Sequence, residues 1–190
     1  MKRVVSRKRG LDLMEVFPAA KVLVVGDLMV DHFIWGKVSR ISPEAPVPAV
    51  DVQSDNLLLG GAANVMNNIR ALEGQVYGAG VIGADTVGER LLKELKDQRI
   101  DTEGIVVEME RPTTLKTRIV AHAQQVVRFD RESRSVVTPG SVETMLRHME
   151  SLRGILGAIV VSDYSKGVVT EALLDGIREI IAGTDIVVCV

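Results

Sequence analysis

The chain has 190 residues, 46% of them apolar, with 23 Lys and Arg against 25 Asp and Glu for a formal charge of -2. That is one domain of ordinary size with material for a core, which excludes wholesale disorder; without a basic excess, and with only 3% aromatics, it is not a general nucleic-acid binder. The single cysteine, Cys189, excludes an internal disulfide and a cysteine metal cage and makes a reducing, cytosolic setting the default.

The first ten residues hold Lys2, Arg3, Arg7, Lys8 and Arg9, but no apolar signal core follows. Leu11, Leu13, Met14, Val16 and Phe17 are interleaved with Asp12 and Glu15, which predicts a basic tail running into a short surface helix. No apolar run approaches the roughly 20 residues that cross a bilayer. Lys21–Val25 is a β-branched run closed by Gly26, the pattern of a strand buried on both faces. In 32–59, His32–Trp35 and Val47–Val52 read as short extended pieces, with Pro43, Pro46 and Pro48 forbidding a helix between them.

Gly60 and Gly61 open a helix in which Val65, Ile69 and Leu72 recur at helical spacing until Gly74. Val76–Ile82 is a glycine-interrupted strand, and Thr86 to about Gln98 a helix capped by Asp85 or Thr86. Residues 105–130 alternate as a hairpin with one wet face, turning near Gln124. Pro139 sits in the first turn of a helix through Leu152; Ala158–Val161 is a buried strand, Thr170–Ala182 a helix and Ile186–Val190 a last strand. Buried strands alternating with helices predict an α/β parallel sheet, with 32–59 and 105–130 forming a separate small sheet. The last strand stops where a parallel sheet normally continues into a loop, so the chain reads as cut short at its carboxyl end.

The phosphate loop G-x-x-x-x-G-K-[ST], H-E-x-x-H and G-x-S-x-G are absent. His32, His122 and His148 share no ligand spacing and read as surface or packing histidines, so no metal site is expected. Gly78–Gly83 fits G-x-G-x-x-G, the only support for a dinucleotide enzyme. No full strand precedes it and Val81–Ile82 continue the strand, so it reads as a strand thinned where another backbone approaches.

Three segments carry chemistry. Asp27 and Asp31 follow the first buried strand, at the sheet edge where small ligands bind. Two carboxylates there suit a polyol, although Asp27 could equally cap a turn and Asp31 be a solvated loop charge. Gly60, Gly61 and Asn64 make a small-residue helix entrance with free N–H groups, open also to the simpler reading of a glycine cap in tight packing. Asp163 and Lys166 lie in the loop after another buried strand, where Lys166 could meet phosphate or the loop could be merely polar.

Taken together, GDLMVD, LGGAANVMNNIRALEG and VYGAGVIGADTVGERLLKELK resemble the ribokinase-like carbohydrate kinase family. RISPEAPVP, LKTRIVAHAQQVVRFD and VSDYSKG are similar to its branch acting on D-glycero-β-D-manno-heptose 7-phosphate. The resemblance runs from about residue 11 to the end. It implies an α/β, ribokinase-like doubly wound sheet with a small β lid, the core in 20–31, 60–104 and 139–190 and the lid in 32–59 and 105–130. The implied activity is transfer of the ATP γ-phosphoryl, with Mg2+, to the anomeric hydroxyl of the heptose 7-phosphate. The 1,7-bisphosphate product would feed ADP-heptose and lipopolysaccharide core synthesis.

The resemblance assigns Asp31, Gly60, Gly61 and Asn64 to the sugar, with Asp27 and Arg128 as further substrate candidates and Asp163 and Lys166 on the nucleotide side. It also implies a cytoplasmic homodimer paired through the lid, with neither nucleic acid nor membrane as partner. The family's Gly-Ala-Gly-Asp segment, which carries the catalytic base, does not occur in residues 1–190. No catalytic residue is therefore assigned, and the chain alone is expected to be inactive. The competing reading is a non-catalytic sugar-binding or oligomerisation module of the same fold.

Overall fold

The computed structural model describes residues 5–190; Lys2 and Arg3 of the basic segment lie outside the described residues. Helix α1 (Arg7–Val16) starts earlier than its apolar pattern suggests, because Ser6 caps it by accepting from the Arg9 N–H at 3.2 Å. No residue of α1 is buried, and a short 3-10 turn, Phe17–Ala19, leads into the first strand.

Two sheets follow. The first is parallel: β1 (Lys21–Gly26) is central, β4 (Gln75–Gly83) and β5 (Asp101–Glu108) lie on one side, and β8 (Ala158–Ser162) and β9 (Val187–Cys189) on the other. Helices cover both faces. Leu23 and Val25 point toward α4 (Pro139–Leu152) and α5 (Glu171–Ile181), where Met145, Met149, Leu173 and Ile177 are buried. Val24 points the other way, toward Ala62, Ala63 and Met66 of α2 (Gly61–Ala71) and Leu91 and Leu95 of α3 (Thr86–Asp97). A strand buried on both sides has no polar alternation, which is why Lys21–Val25 reads as one apolar run. Leu23, Val24 and Val25 are fully buried, and each such side chain contributes about 1.5–3 kcal/mol by leaving water.

The second sheet has the order β3-β2-β6-β7, built from β2 (Leu28–Ile41), β3 (Pro48–Gly60), β6 (Thr114–Ala121) and β7 (Gln124–Arg131). Two antiparallel hairpins, β2–β3 and β6–β7, join through the parallel pair β2–β6. Pro43 and Pro46 fall in the hairpin loop and Pro48 opens β3, so the short extended pieces expected here are parts of strands 14 and 13 residues long. The β6–β7 turn falls on His122 and Ala123, both at positive φ, directly before Gln124.

One boundary needs correction. Residues 105–108, expected in the lid with 109–130, belong to β5 and extend the parallel sheet, with Ile105 opposite Gly80 and Val106 opposite Val81. The second sheet resumes only at Thr114. The glycines of β4 bring backbones together as expected: a Cβ on Gly80 would lie 2.7 Å from the Gly26 carbonyl.

Candidate functional site

After β1 the chain reaches β4 on one side of the sheet and β8 on the other. Open α/β sheets hold ligands at the carboxyl end of such a switch strand. Gly26 lies there because nothing larger fits: a Cβ would stand 2.0 Å from the Ser162 carbonyl oxygen. The start of α2 folds back onto this corner. The Ala62 N–H donates to the Asp27 carbonyl at 3.0 Å, and Gly61, at φ +52°, bridges Leu28.

Asp31 stands at the root of β2, in a strand rather than a loop. Its carboxylate lies against Gly60, where a Cβ would be 2.7 Å from Oδ2. Arg118 of β6 donates from Nη1 to Asp31 Oδ1 at 2.6 Å, and its guanidinium sits 5.1 Å from the Phe33 ring centre. Strand register places Lys116 opposite Asp31 and Asp130, and Arg118 opposite Phe33 and Arg128. One face of the second sheet therefore gathers Asp31, Lys116, Arg118, Arg128 and Asp130. Lys116 Nζ lies 5.9 Å from the Tyr164 ring centre, in the loop after β8.

Arg128 forks onto Asp130, Nε to Oδ1 at 2.9 Å and Nη2 to Oδ2 at 2.6 Å. That pairing holds the Asp130 carboxyl below its usual range and raises the Arg128 guanidinium further. Among the expected sugar-side residues, Asp31, Gly60 and Gly61 are thus drawn to one corner, with Asn64 exposed in the first turn of α2 and Arg128 two strands from Asp31.

Asp27 does not join them. It is 1% exposed, and its carboxylate accepts the N–H groups of Tyr164 at 2.7 Å, Lys166 at 3.1 Å and Val168 at 3.3 Å. A carboxylate so buried and so occupied fixes the loop after β8 and presents almost no surface to a substrate. The assignment of Asp27 to the sugar is corrected accordingly, in favour of its turn-capping alternative.

Lys166 is also committed. It is 9% exposed, and its ammonium lies 2.9 Å from both oxygens of Glu132. That hydrogen bond lowers the Glu132 carboxyl from its ordinary value. Asp163 is exposed and accepts the Ser165 N–H at 2.7 Å, making a turn.

Two residues behind this loop escaped the sequence reading. Arg111 donates to the carbonyls of Lys166, at 2.9 Å, and Ser135, and to Glu108 Oε2 at 3.2 Å. Glu108 in turn accepts from Ser141 Oγ at 2.6 Å and the Thr138 N–H at 2.8 Å at the start of α4. Burial alone would raise the Glu108 carboxyl, but these hydrogen bonds outweigh it and hold it below the usual range.

Residues 19–188 match the pfkB family of carbohydrate kinases. The chain belongs to this family. It is 48% identical over 149 residues to the bifunctional protein HldE of Wolinella succinogenes, covering 78% of this chain and 31% of that protein. To HldE of Citrifermentans bemidjiense it is 43% identical over 172 residues, covering 90% of this chain and 35% of that one. The chain therefore spans about a third of the length of the curated relatives it matches.

Among solved structures it is similar to Arabidopsis thaliana ribokinase complexed with ribose and ATP, with TM-score 0.62 at 13% identity over 89% of this chain and 53% of that one. Ribokinase from Giardia lamblia gives TM-score 0.63 at 16% identity, over 89% of this chain and 54% of that one. The fold is ribokinase-like α/β. Among the described residues, no helix is long and apolar enough to cross a membrane.

Proposed function

We propose that this chain is the sugar-binding part of an ATP-dependent kinase whose acceptor is D-glycero-β-D-manno-heptose 7-phosphate, phosphorylated at its anomeric hydroxyl. The observation that carries this reading is the carboxylate of Asp31 resting on Gly60 at the mouth of α2, with Arg118 holding one oxygen. The other oxygen, and N–H groups of the helix entrance other than that of Ala62, which the Asp27 carbonyl takes, are suited to hydroxyls of a polyol, and Asn64 adds a donor and an acceptor. Lys116, Arg118 and Arg128 on the same sheet face supply the charge that a phosphorylated sugar needs and a neutral one does not. Family membership favours a kinase over a non-catalytic module.

Kinases of this family use ATP with a divalent metal. Of the carboxylates near this edge, Asp163 is exposed and its Oδ1 accepts only the Ser165 N–H, whereas the others have partners of their own. Asp27 is filled by backbone N–H groups, Asp31 is paired with Arg118, Asp130 with Arg128, and Glu132 with Lys166. What the chain's own residues do is bind and orient the acceptor, fixing its hydroxyl at the carboxyl edge of the sheet.

The proposed whole is a homodimer through the second sheet, supported by exposed Trp35, Val52, Val127 and Phe129 on its strands. A thermal-shift series with heptose 7-phosphate, unphosphorylated heptose and ribose tests the substrate reading. The sugar phosphate is expected to raise Tm most, Asp31→Ala to abolish the shift, and Arg128→Ala to erase the preference for the phosphorylated sugar. No shift with any of the three would refute it.

A further inference from the structure

A second cluster lies at the other edge of the parallel sheet. Asp101 opens β5, Glu103 follows two residues later, and His148 reaches them from α4. One ring nitrogen of His148 and one oxygen of each carboxylate lie within 4.8 Å of one another. His148 Nε2 stands 3.4 Å from Asp101 Oδ1, and Nδ1 stands 3.9 Å from Glu103 Oε2. The absence of a side chain at Gly104 makes room for the imidazole: a Cβ there would be 2.7 Å from His148 Cδ2.

The independent sign of a ligand is the state of Nε2. The His148 side chain is 8% exposed, yet Nε2 has no hydrogen-bond partner and, although close to Asp101, does not hydrogen-bond it. A buried polar atom left without a partner costs about 1–3 kcal/mol. An ion between the two atoms accounts for the spacing. With bonds of about 2.1 Å to nitrogen and oxygen, a lone pair aimed at the ion points about 35° off the line joining them. The ring then need not face the oxygen squarely. Asp101 Oδ1 also accepts the Glu103 N–H at 2.9 Å, which orients that carboxylate as an outer partner orients a metal ligand.

We propose that Asp101, Glu103 and His148 bind one divalent ion of zinc type, which staples α4 to β5. One imidazole with two carboxylates suits a borderline ion such as Zn2+ rather than Mg2+, and water would complete the shell. The site lies at the amino end of β5, at the opposite edge from Asp31, so it is a structural staple independent of sugar binding.

The test is thermal unfolding of the full chain with Zn2+ or Mg2+, alongside calorimetric stoichiometry. A Cys189→Ser protein is run in parallel to remove the exposed thiol. At about 100 times Kd, Zn2+ is expected to raise Tm by about 5 °C or more at one ion per chain. Mg2+ should have no comparable effect, and the Zn2+ shift should survive Cys189→Ser. Glu103→Gln, at a side chain 82% exposed, should keep the metal-free Tm and weaken binding about tenfold. His148→Gln should abolish it. A missing Zn2+ shift, an equal response to Mg2+, or a shift unchanged in Glu103→Gln would overturn the proposal.

Discussion

Asp27 and Asp31 are four residues apart and have opposite surroundings. The first is 1% exposed under three backbone N–H groups; the second is a quarter exposed and paired with one arginine. Asp27→Asn puts an amide where a carboxylate accepts, and is expected to cost about 2–4 kcal/mol in denaturant unfolding. Asp31→Asn breaks a partly exposed pair and is expected to cost at most about 1 kcal/mol while losing the sugar-phosphate response. Equal stability losses in the two variants would contradict this division.

Both carboxylates follow β1 as the sequence reading has them, but the sequence could not separate their surroundings. Which one folds back on the loop depends on backbone donors 137 to 141 residues away. Arg118 was invisible for a related reason. A strand reading Lys116-Thr117-Arg118 signals a wet face, and only the β2–β6 register turns that charge toward Asp31.

Among the elements, the starts of α3 and α5 were legible because their caps are local, whereas α1 begins ahead of its apolar pattern at the Ser6 cap. Asp85 accepts the Gly88 N–H at 2.8 Å and Thr170 the Leu173 N–H at 3.1 Å. The tie between β5 and α4 was not, since Glu108 meets Ser141 and Thr138 across 33 and 30 residues. That tie predicts an acid-sensitive element. A carboxyl depressed in the folded state stabilises it above the ordinary glutamate value, and this stability is lost as pH falls through the lower folded value. The Glu108→Gln protein should be less stable at neutral pH and lose less further stability between about pH 5 and 3 than the parent. Parallel stability–pH curves would contradict this. At the β1–β8 crossing, Gly26→Ala forces a methyl to 2.0 Å from the Ser162 carbonyl. It should cost about 3 kcal/mol or more, read as a lower denaturant midpoint.

At the scale of the whole molecule, two sheets were legible because their patterns differ, one continuous and one alternating. The boundary at 105–113 was not. Ile105 and Val106 are half-buried and Val107 is exposed, as on an edge strand with solvent within reach, so β5 resembles the half-polar strands after it. β7 is exposed throughout, with Val127 and Phe129 bare. In a homodimer through this sheet, sedimentation should give twice the 20.6 kDa chain mass. A Val127→Lys, Phe129→Glu double variant should return it to one chain mass. A parent protein already sedimenting as one chain at micromolar concentration would remove the dimer from the account.

The proposed function rests on a joint grip of Asp31 and the mouth of α2 on a sugar phosphate. It is tested most directly by following backbone amide resonances of the labelled chain during titration with heptose 7-phosphate. Saturable shifts are expected at Asp31, Gly60, Gly61 and Asn64, with smaller ones at Lys116, Arg118 and Arg128. Saturable shifts confined to other elements, such as α4 and α5, would contradict it.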